Sequence, residues 1–232
     1  MYLVCAATSF EMDAFAAAWQ ADAPVARLVS GIGVVETALK LTSFLHHQDD
    51  VQGVINFGVA GAYMGRPYLA QPGLLDLCLA RSEVLGDLGI CLEDRVERFG
   101  AAGLVVADSF RLDPALLAKA EKILEHGGQS WYTGTFVTVS CASGTAARGA
   151  LLARQYDGLC ENMEGAAVAR VCEEFGLPCL EIRCISNMVE DRNRDNWKLA
   201  EACERAGRAA ADIASALGTA SGIQCAPPPE GK

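Results

Sequence analysis

The feature that most narrows the fold is an alternation: short apolar runs at residues 2–7, 27–30, 51–56, 73–83, 131–140 and 178–186, with helix-patterned segments between them. The helical segments cover 11–20, whose apolar face carries Phe15 and Trp19, then 34–46, 114–125, 146–154, 164–175 and 195–217. Asp113 ahead of Pro114 is a helix-start pair, the carboxylate serving as cap and the proline as first-turn residue. Strands alternating with helices predict an α/β fold with a mainly parallel or mixed sheet covered on both faces. Such sheets bind ligands at the carboxyl ends of their strands, so the chemistry is to be sought in the strand-exit loops. With 51% hydrophobic and 21% charged residues, the 232-residue chain can bury the core of one large domain, placed here at 1–218. The remaining stretch, 219–232, holds Pro227-Pro228-Pro229 and no apolar period, which reads as a disordered tail.

Composition removes several function classes. A formal net charge of -10, with no Lys/Arg-rich block, leaves no field for a phosphate backbone, so nucleic acid is not expected as a partner. The apolar start lacks a basic flank and is interrupted by Glu11 and Asp13, and no apolar run reaches the ~20 residues of a membrane-spanning helix. Neither export nor a membrane is expected, and the ten cysteines, with no C-x-x-C pair, read as reduced and mostly buried thiols of a cytoplasmic protein. His46 and His47, adjacent on a helix, point in different directions and make a poor ligand pair, so neither a metal nor a cofactor is expected. Gly31-x-Gly33 opens like a dinucleotide fingerprint, but Glu36 stands where the third glycine belongs, and a tight strand-to-helix turn is the better reading. A phosphate-binding P-loop, a G-x-S-x-G elbow and an H-E-x-x-H helix are all missing. Chemistry is left to carboxylates and amides.

Three strand-exit segments carry polar residues whose structural role is hard to supply: Ser9-Phe10-Glu11, Asn162-Met163-Glu164-Gly165, and Ile185-Ser186-Asn187 with the polar stretch 190–197 after it. Here the chain resembles the nucleoside phosphorylase/nucleosidase superfamily. Asn56-Phe57-Gly58-Val59-Ala60-Gly61 is similar to that family's N-x-G-x-A-G loop, whose small residues let the backbone approach a ligand, and Met163-Glu164 to its ribose-binding pair. The ordered segments span residues 1 to 217. Within the superfamily, the stretch from Ser186 to Trp197 resembles the S-N-x-V-x-x-R-N-R-x-x-W signature of the group that hydrolyses futalosine, a nucleoside of menaquinone biosynthesis. The resemblance implies a single-domain three-layer sandwich around a central mixed sheet, and a homo-oligomer, often a dimer.

It also implies roles. Glu11 would deprotonate an attacking water, where a bland reading makes it a solvated acid in the first turn of a helix. Glu164 would accept from the ribose 2′- and 3′-hydroxyls, with Met163 packed on the sugar; the bland reading is again a helix N-terminal acid. Gly58, Val59 and Ala60, and the loop Cys141-Ala142-Ser143, would offer backbone groups and apolar surface to the nucleoside. Asn187 stands where adenine-releasing relatives carry Asp, and its amide suits a 6-oxopurine such as hypoxanthine, unless it is only a turn residue. Asn cannot act as a general acid, which leaves Asp191 or water to protonate the base. Arg192 and Arg194 are the candidates to hold the distal carboxylate of futalosine, and a surface role competes for each.

Phosphorolytic relatives hold phosphate with arginines and a serine, but residues 8–12 and 56–61 contain no arginine, and Val59 replaces the hydroxyl. Water is therefore the expected nucleophile. The alternatives are a methylthioadenosine/S-adenosylhomocysteine-type nucleosidase, which Asn187 disfavours, a purine nucleoside phosphorylase, and a non-catalytic nucleoside-binding protein on the same fold.

Overall fold

The computed structural model describes residues 1–64 and 71–221. In chain order its elements are β1 (Tyr2–Ala6), α1 (Ser9–Ala18), β2 (Val25–Val29), α2 (Val34–Leu45), β3 (Gly53–Ala62), β4 (Leu77–Leu85), β5 (Ile90–Cys91), β6 (Val96–Glu97), β7 (Ser109–Arg111), α3 (Pro114–His126), β8 (Trp131–Thr138), α4 (Ala146–Tyr156), β9 (Gly158–Asn162), α5 (Gly165–Phe175), β10 (Cys179–Met188) and α6 (Leu199–Ser221). The expected α/β architecture is present: an eight-stranded mixed sheet with helices on both faces.

The sheet owes its shape to β3. One edge of this ten-residue strand pairs in parallel with β10 over most of its length. The other edge is divided: Gly53 to Asn56 pair with β1, while Gly61 and Ala62 pair antiparallel with β9. Because β10 also pairs with β4, β4 with β8, and β8 with β9, the ladder β3-β10-β4-β8-β9 closes on itself, and β1 and β2 run off from its seam. Between Asn56 and Gly61 β3 has neither β1 nor β9 beside it, so backbone groups there are free for other partners.

Alternate residues of each strand face two different cores. On one face Val4, Ile55, Leu79 and Ile182 pack beneath α1, α3 and α6 through Phe15, Leu124 and Ile213. On the other, Leu3, Val54 and Cys78 pack beneath α2 and α5 through Leu41, Leu45 and Val168. A smaller cluster around Tyr63, Val137 and Leu152 seats α4.

Several boundaries differ from the sequence reading, each for a local reason. The small-residue stretch after Asn56, read as a loop, continues β3 to Ala62, and the strand read to Ser186 runs on to Met188. β9 was not expected because only Leu159 and Cys160 are apolar; Glu161 and Asn162 are nevertheless buried. The segment from Gly73 forms a turn first, with Gly73 N donating to Asp76 Oδ2 at 2.8 Å, and the strand starts at Leu77. Arg194–Asn196 is a single 3-10 turn, and α6 starts only at Leu199. That helix continues to Ser221, and the proline-bearing remainder lies outside the described residues.

Gly207 sets how closely α6 meets α1. A Cβ there would lie 2.6 Å from Phe15 N and 2.7 Å from Ala14 C, both backbone atoms that cannot rotate away. Glycine to alanine in an open helix gains roughly 1 kcal/mol, but overpacking of this kind costs about 1–3 kcal/mol. Gly207→Ala is therefore expected to lower the urea midpoint; a higher midpoint would show that the two helices can part freely.

Candidate active site

The seam along β3 opens into a cavity of about 560 Å³. It lies at the carboxyl ends of β1, β3, β9 and β10, where a sheet of this kind is expected to bind its ligand.

Glu11 reaches it from α1. The sequence Thr8-Ser9-Phe10-Glu11 is a capping box: Thr8 Oγ1 accepts from Glu11 N at 3.2 Å while Glu11 Oε2 accepts from Thr8 N at 3.0 Å and from Thr8 Oγ1 at 2.8 Å. The other carboxylate oxygen accepts from Val59 N at 3.1 Å, one of the backbone groups freed in β3. Glu11 thus does cap its helix, but it is buried rather than solvated, and three donors fix both of its oxygens in the cavity wall. Gly58 lies beneath it. A Cβ at Gly58 would collide with Glu11 Oε1 and come within 2.8 Å of Arg183 Nη1, so only glycine lets these two side chains cross the strand here.

Glu164 ends the β9-to-α5 turn. It is the N-cap residue of α5, yet its side chain makes no cap bond. Instead Oε1 accepts from Gly33 N at 3.1 Å, and Oε2 meets Arg183 Nη1 at 3.5 Å. The Gly31-x-Gly33 turn, with φ of 86° and 88° at its glycines, therefore serves to present an N–H to this carboxylate. Burial raises the Glu164 carboxyl above the ordinary carboxylate range, against the lowering influence of Arg183 and Gly33. Arg183 is itself fully buried; burial alone would lower its pKa, but Glu181, Glu164 and Glu11 together raise it, and it stays cationic. Its Nε donates to Glu181 Oε1 at 2.8 Å and its Nη1 to Val59 O at 3.3 Å.

Asn187 and Ser186 both line the cavity although they are consecutive on β10. A bulge between Ile185 and Asn187 explains this, because it breaks the strict alternation of the strand. Ser186 Oγ donates to Asn187 Oδ1 at 2.9 Å, which orients the amide. Facing it across Gly61 is Glu161, whose carboxylate accepts from Ser143 N at 2.7 Å and Ser143 Oγ at 2.6 Å; burial raises its pKa while the Ser143 bonds lower it. At the exposed rim, the Arg192 guanidinium lies 5.2 Å over the Trp197 ring.

Of the residues named from sequence, the structure brings Glu11, Val59, Ala60, Ala142, Ser143, Met163, Glu164, Asn187 and Arg192 to this one cavity. Gly58, Cys141, Asp191 and Arg194 are not among its lining residues. Gly58 is the bed for Glu11 and Arg183. Cys141 is turned outward, its N–H donating to Asp87 and its carbonyl accepting from Arg148. Asp191 Oδ1 accepts from Ala146 N at 3.0 Å, tethering its loop to α4. Arg194 is exposed, and its carbonyl accepts from Trp197 N at 3.2 Å, fixing the ring under Arg192.

Trp197, the last residue of the S-N-x-V-x-x-R-N-R-x-x-W stretch, lines the cavity, as do Arg183, Glu161 and Thr8, which sequence reasoning passed over. Two of these had a signal. Thr8 and Glu11 have capping-box spacing, and Glu181 and Arg183, two apart in an otherwise apolar strand, must share one face. Cys203 is here too, but burial pushes its thiol up to about 12, so it is no thiolate nucleophile at neutral pH.

Comparison with known proteins agrees with this geometry. The phosphorylase superfamily model matches residues 14–220. A futalosine hydrolase from Thermus thermophilus is 32% identical over 187 residues, 78% of this chain and 77% of that protein. A 5'-methylthioadenosine/S-adenosylhomocysteine nucleosidase from Geobacillus kaustophilus is 32% identical over 172 residues, 72% of this chain and 68% of that protein. Among solved structures, a futalosine hydrolase mutant of Helicobacter pylori superposes with a TM-score of 0.80 at 20% identity, covering 93% of this chain and 99% of the other. With the family model matched from α1 to the end of α6, and with the closed β3 ladder framing the cavity, the chain belongs to the phosphorylase superfamily.

Proposed function

We propose that this cavity hydrolyses the N-glycosidic bond of futalosine, releasing hypoxanthine. The observation that carries the reading is a single cavity with the Glu11, Glu164 and Arg183 cluster at its buried end and Arg192 stacked on Trp197 at its rim. The arrangement suits the substrate chemistry, with a ribose at the carboxylates and an aryl acid where a guanidinium can meet it.

Glu11 accepts a proton from water as the oxygen attacks C1′, and the C1′–N9 electrons leave with the purine, which takes up a proton from water to become neutral hypoxanthine while Glu11 returns its proton to solvent. Both Glu11 oxygens already hold donors, so the carboxylate is oriented before substrate arrives. Glu164 takes the ribose hydroxyls, and in doing so releases the place that Gly33 N now fills at one oxygen. Met163 lies against the sugar. Asn187, oriented by Ser186, offers its NH₂ to a 6-oxo group. Ala142, Ser143, Val59 and Ala60 supply apolar wall and backbone around the base.

Water is preferred to phosphate on electrostatic grounds. Arg183, the one cation at the buried end among the described residues, is committed to Glu181 and Glu164, and Glu11 adds a further carboxylate. A phosphate dianion placed there would face more negative than positive charge. The same charge favours an oxocarbenium-like sugar.

The protein is further read as a cytoplasmic homo-oligomer. What supports this is that no helix among the described residues is long and apolar enough to cross a membrane, and that Val35 and Leu39 of α2 and Ile32 before it stand more than half exposed.

Three outcomes test the reading. Purified protein incubated with futalosine, inosine and methylthioadenosine, with and without phosphate, should release hypoxanthine from futalosine in phosphate-free buffer. Strict phosphate dependence, a preference for methylthioadenosine, or no turnover of any nucleoside would overturn it. Glu11→Ala should lower kcat by ~10²–10⁴-fold while nucleoside binding remains measurable by calorimetry. Arg192→Ala should raise KM for futalosine roughly ten- to a hundredfold and leave inosine unchanged, whereas Arg194→Ala should change neither. Equal losses on both nucleosides would refute a carboxylate anchor.

A further inference from the structure

Behind Glu164 lies a second pair of carboxyl groups that the proposed chemistry does not use. Glu83 on β4 and Glu181 on β10 are both fully buried, and their carboxyl oxygens crowd the same spot beside Gly165. Gly165, at the start of α5, has no room for a side chain because a Cβ would collide with Glu83 Oε1 and Glu181 Oε2 together. Two carboxylates cannot share such a space in the ionised form; one proton between them turns repulsion into a hydrogen bond. Glu181 already accepts from the Arg183 guanidinium at 2.8 Å, so it is the ionised partner, and the proton belongs to Glu83.

From this pair two arms reach Glu164. Along one, Glu181 holds Arg183, whose Nη1 meets Glu164 Oε2 at 3.5 Å. Along the other, Glu83 Oε1 accepts from Asn162 Nδ2 at 2.6 Å, and Asn162 Oδ1 in turn accepts from Glu164 N at 2.9 Å and Gly165 N at 2.7 Å. Thr138 braces the second arm, its Oγ1 donating to Glu83 Oε2 at 2.8 Å and accepting from Ala166 N at 2.8 Å. We propose that Glu83 is a neutral carboxylic acid that donates its proton to Glu181, and that this hydrogen bond is the joint that positions Glu164 from both sides. Glu83 is a positioning residue and touches no reacting atom. The link to sugar binding rests on the proposed function; the proton between Glu83 and Glu181 does not.

The groups facing the pair support a single uncharged member. Among the described residues Arg183, from β10, is the cation facing the pair, and it faces Glu181, Glu164 at the start of α5, and Glu11 from α1. The neighbouring thiols carry no charge: burial drives Cys160 of β9 well above its ordinary range, and Cys179 of β10 is driven up by a hydrogen bond with the free Cys172 thiol of α5 and by burial. Burial, reinforced by Glu181, likewise holds Glu83 well above the carboxylate range, while Thr138 and Asn162 pull the other way. The sign of the pH effect follows. A carboxyl raised on folding takes up a proton when the chain folds, so its contribution is complete below the unfolded pKa and is lost as pH rises toward the folded value.

The test compares the wild-type chain with Glu83→Gln, which keeps a neutral donor and acceptor but has no proton to lose. Urea unfolding across a pH series from about 5 to 8 should show the wild-type folding constant falling about tenfold per pH unit relative to the variant. Parallel pH profiles would overturn the proposal. Infrared spectra of the wild-type protein at neutral pH should contain the carbonyl stretch of a protonated carboxylic acid; its absence would overturn the proposal whether or not the variant folds. For the positioning role, Glu83→Leu should raise KM for the nucleoside and Glu83→Gln should restore it toward the wild-type value. Equal KM in all three proteins would remove that role while leaving the unfolding and infrared results to stand on their own.

Discussion

A guanidinium buried this deeply has to be matched where it lies, and the Nε and Nη1 of Arg183 are matched by the residues that build the site. It sits on β10, passes over Gly58 of β3, and meets Glu181 from its own strand and Glu164 from the turn into α5. Burying one ion costs several kcal/mol unless partners and hydrogen bonds compensate, so each of these neighbours is constrained by the others. Glycine is forced at 58 because two side chains occupy the space of its Cβ, and at 165 because two carboxyl groups do. The closed ladder of β3, β10, β4, β8 and β9 brings these positions within reach, and the division of one β3 edge between β1 and β9 leaves Val59 to bond both Glu11 and Arg183.

How much of this was legible in the sequence follows from which signals are local. The alternation of apolar runs and helical periods is written within ten-residue windows, and it yields the layered α/β architecture and most of the elements. β9 escaped because its register partners, not its own residues, make it a strand: Glu161 and Asn162 pair with Val137, Thr138 and Gly61 in a place where polar side chains are satisfied by Ser143 and Glu83. β3 was read short because small residues signal a turn in isolation, whereas here they make room for side chains that come from elsewhere.

The candidate site divides in the same way. Glu11, Met163, Glu164 and Asn187 could be picked out because each stands in a short motif, and all four meet at one cavity. Arg192 could not be separated from Arg194 by spacing; the difference lies in a 3-10 turn that points one at Trp197 and leaves the other in solvent. The hydrogen bond that ties Asp191 to α4 was not legible because it is a contact across 45 residues. Glu83 carried no local signal at all. Its partners come from β8, β9 and β10, and only the sheet brings them together.

The charge arrangement also bears on how the bond is broken. A ribosyl group losing its base develops positive charge at the sugar and negative charge at the purine, and a site that is uniformly polar would help both ends poorly. Here the two ends differ. The end proposed for the sugar carries Glu11 and Glu164, with Arg183 nearer to Glu181 at 2.8 Å than to Glu164 at 3.5 Å, so the field there is set by buried carboxylates. The end proposed for the base carries the neutral amide of Asn187, oriented by Ser186, with the Glu161 carboxylate already engaged by Ser143. Glu11 and Glu161 are oriented before substrate binds, because their donors are backbone N–H groups or short hydroxyl side chains that need no rearrangement to act. Electrostatic preorganisation of this kind works on the developing charges and not on the ground-state nucleoside, which is what distinguishes a cavity that cleaves the bond from one that merely holds it.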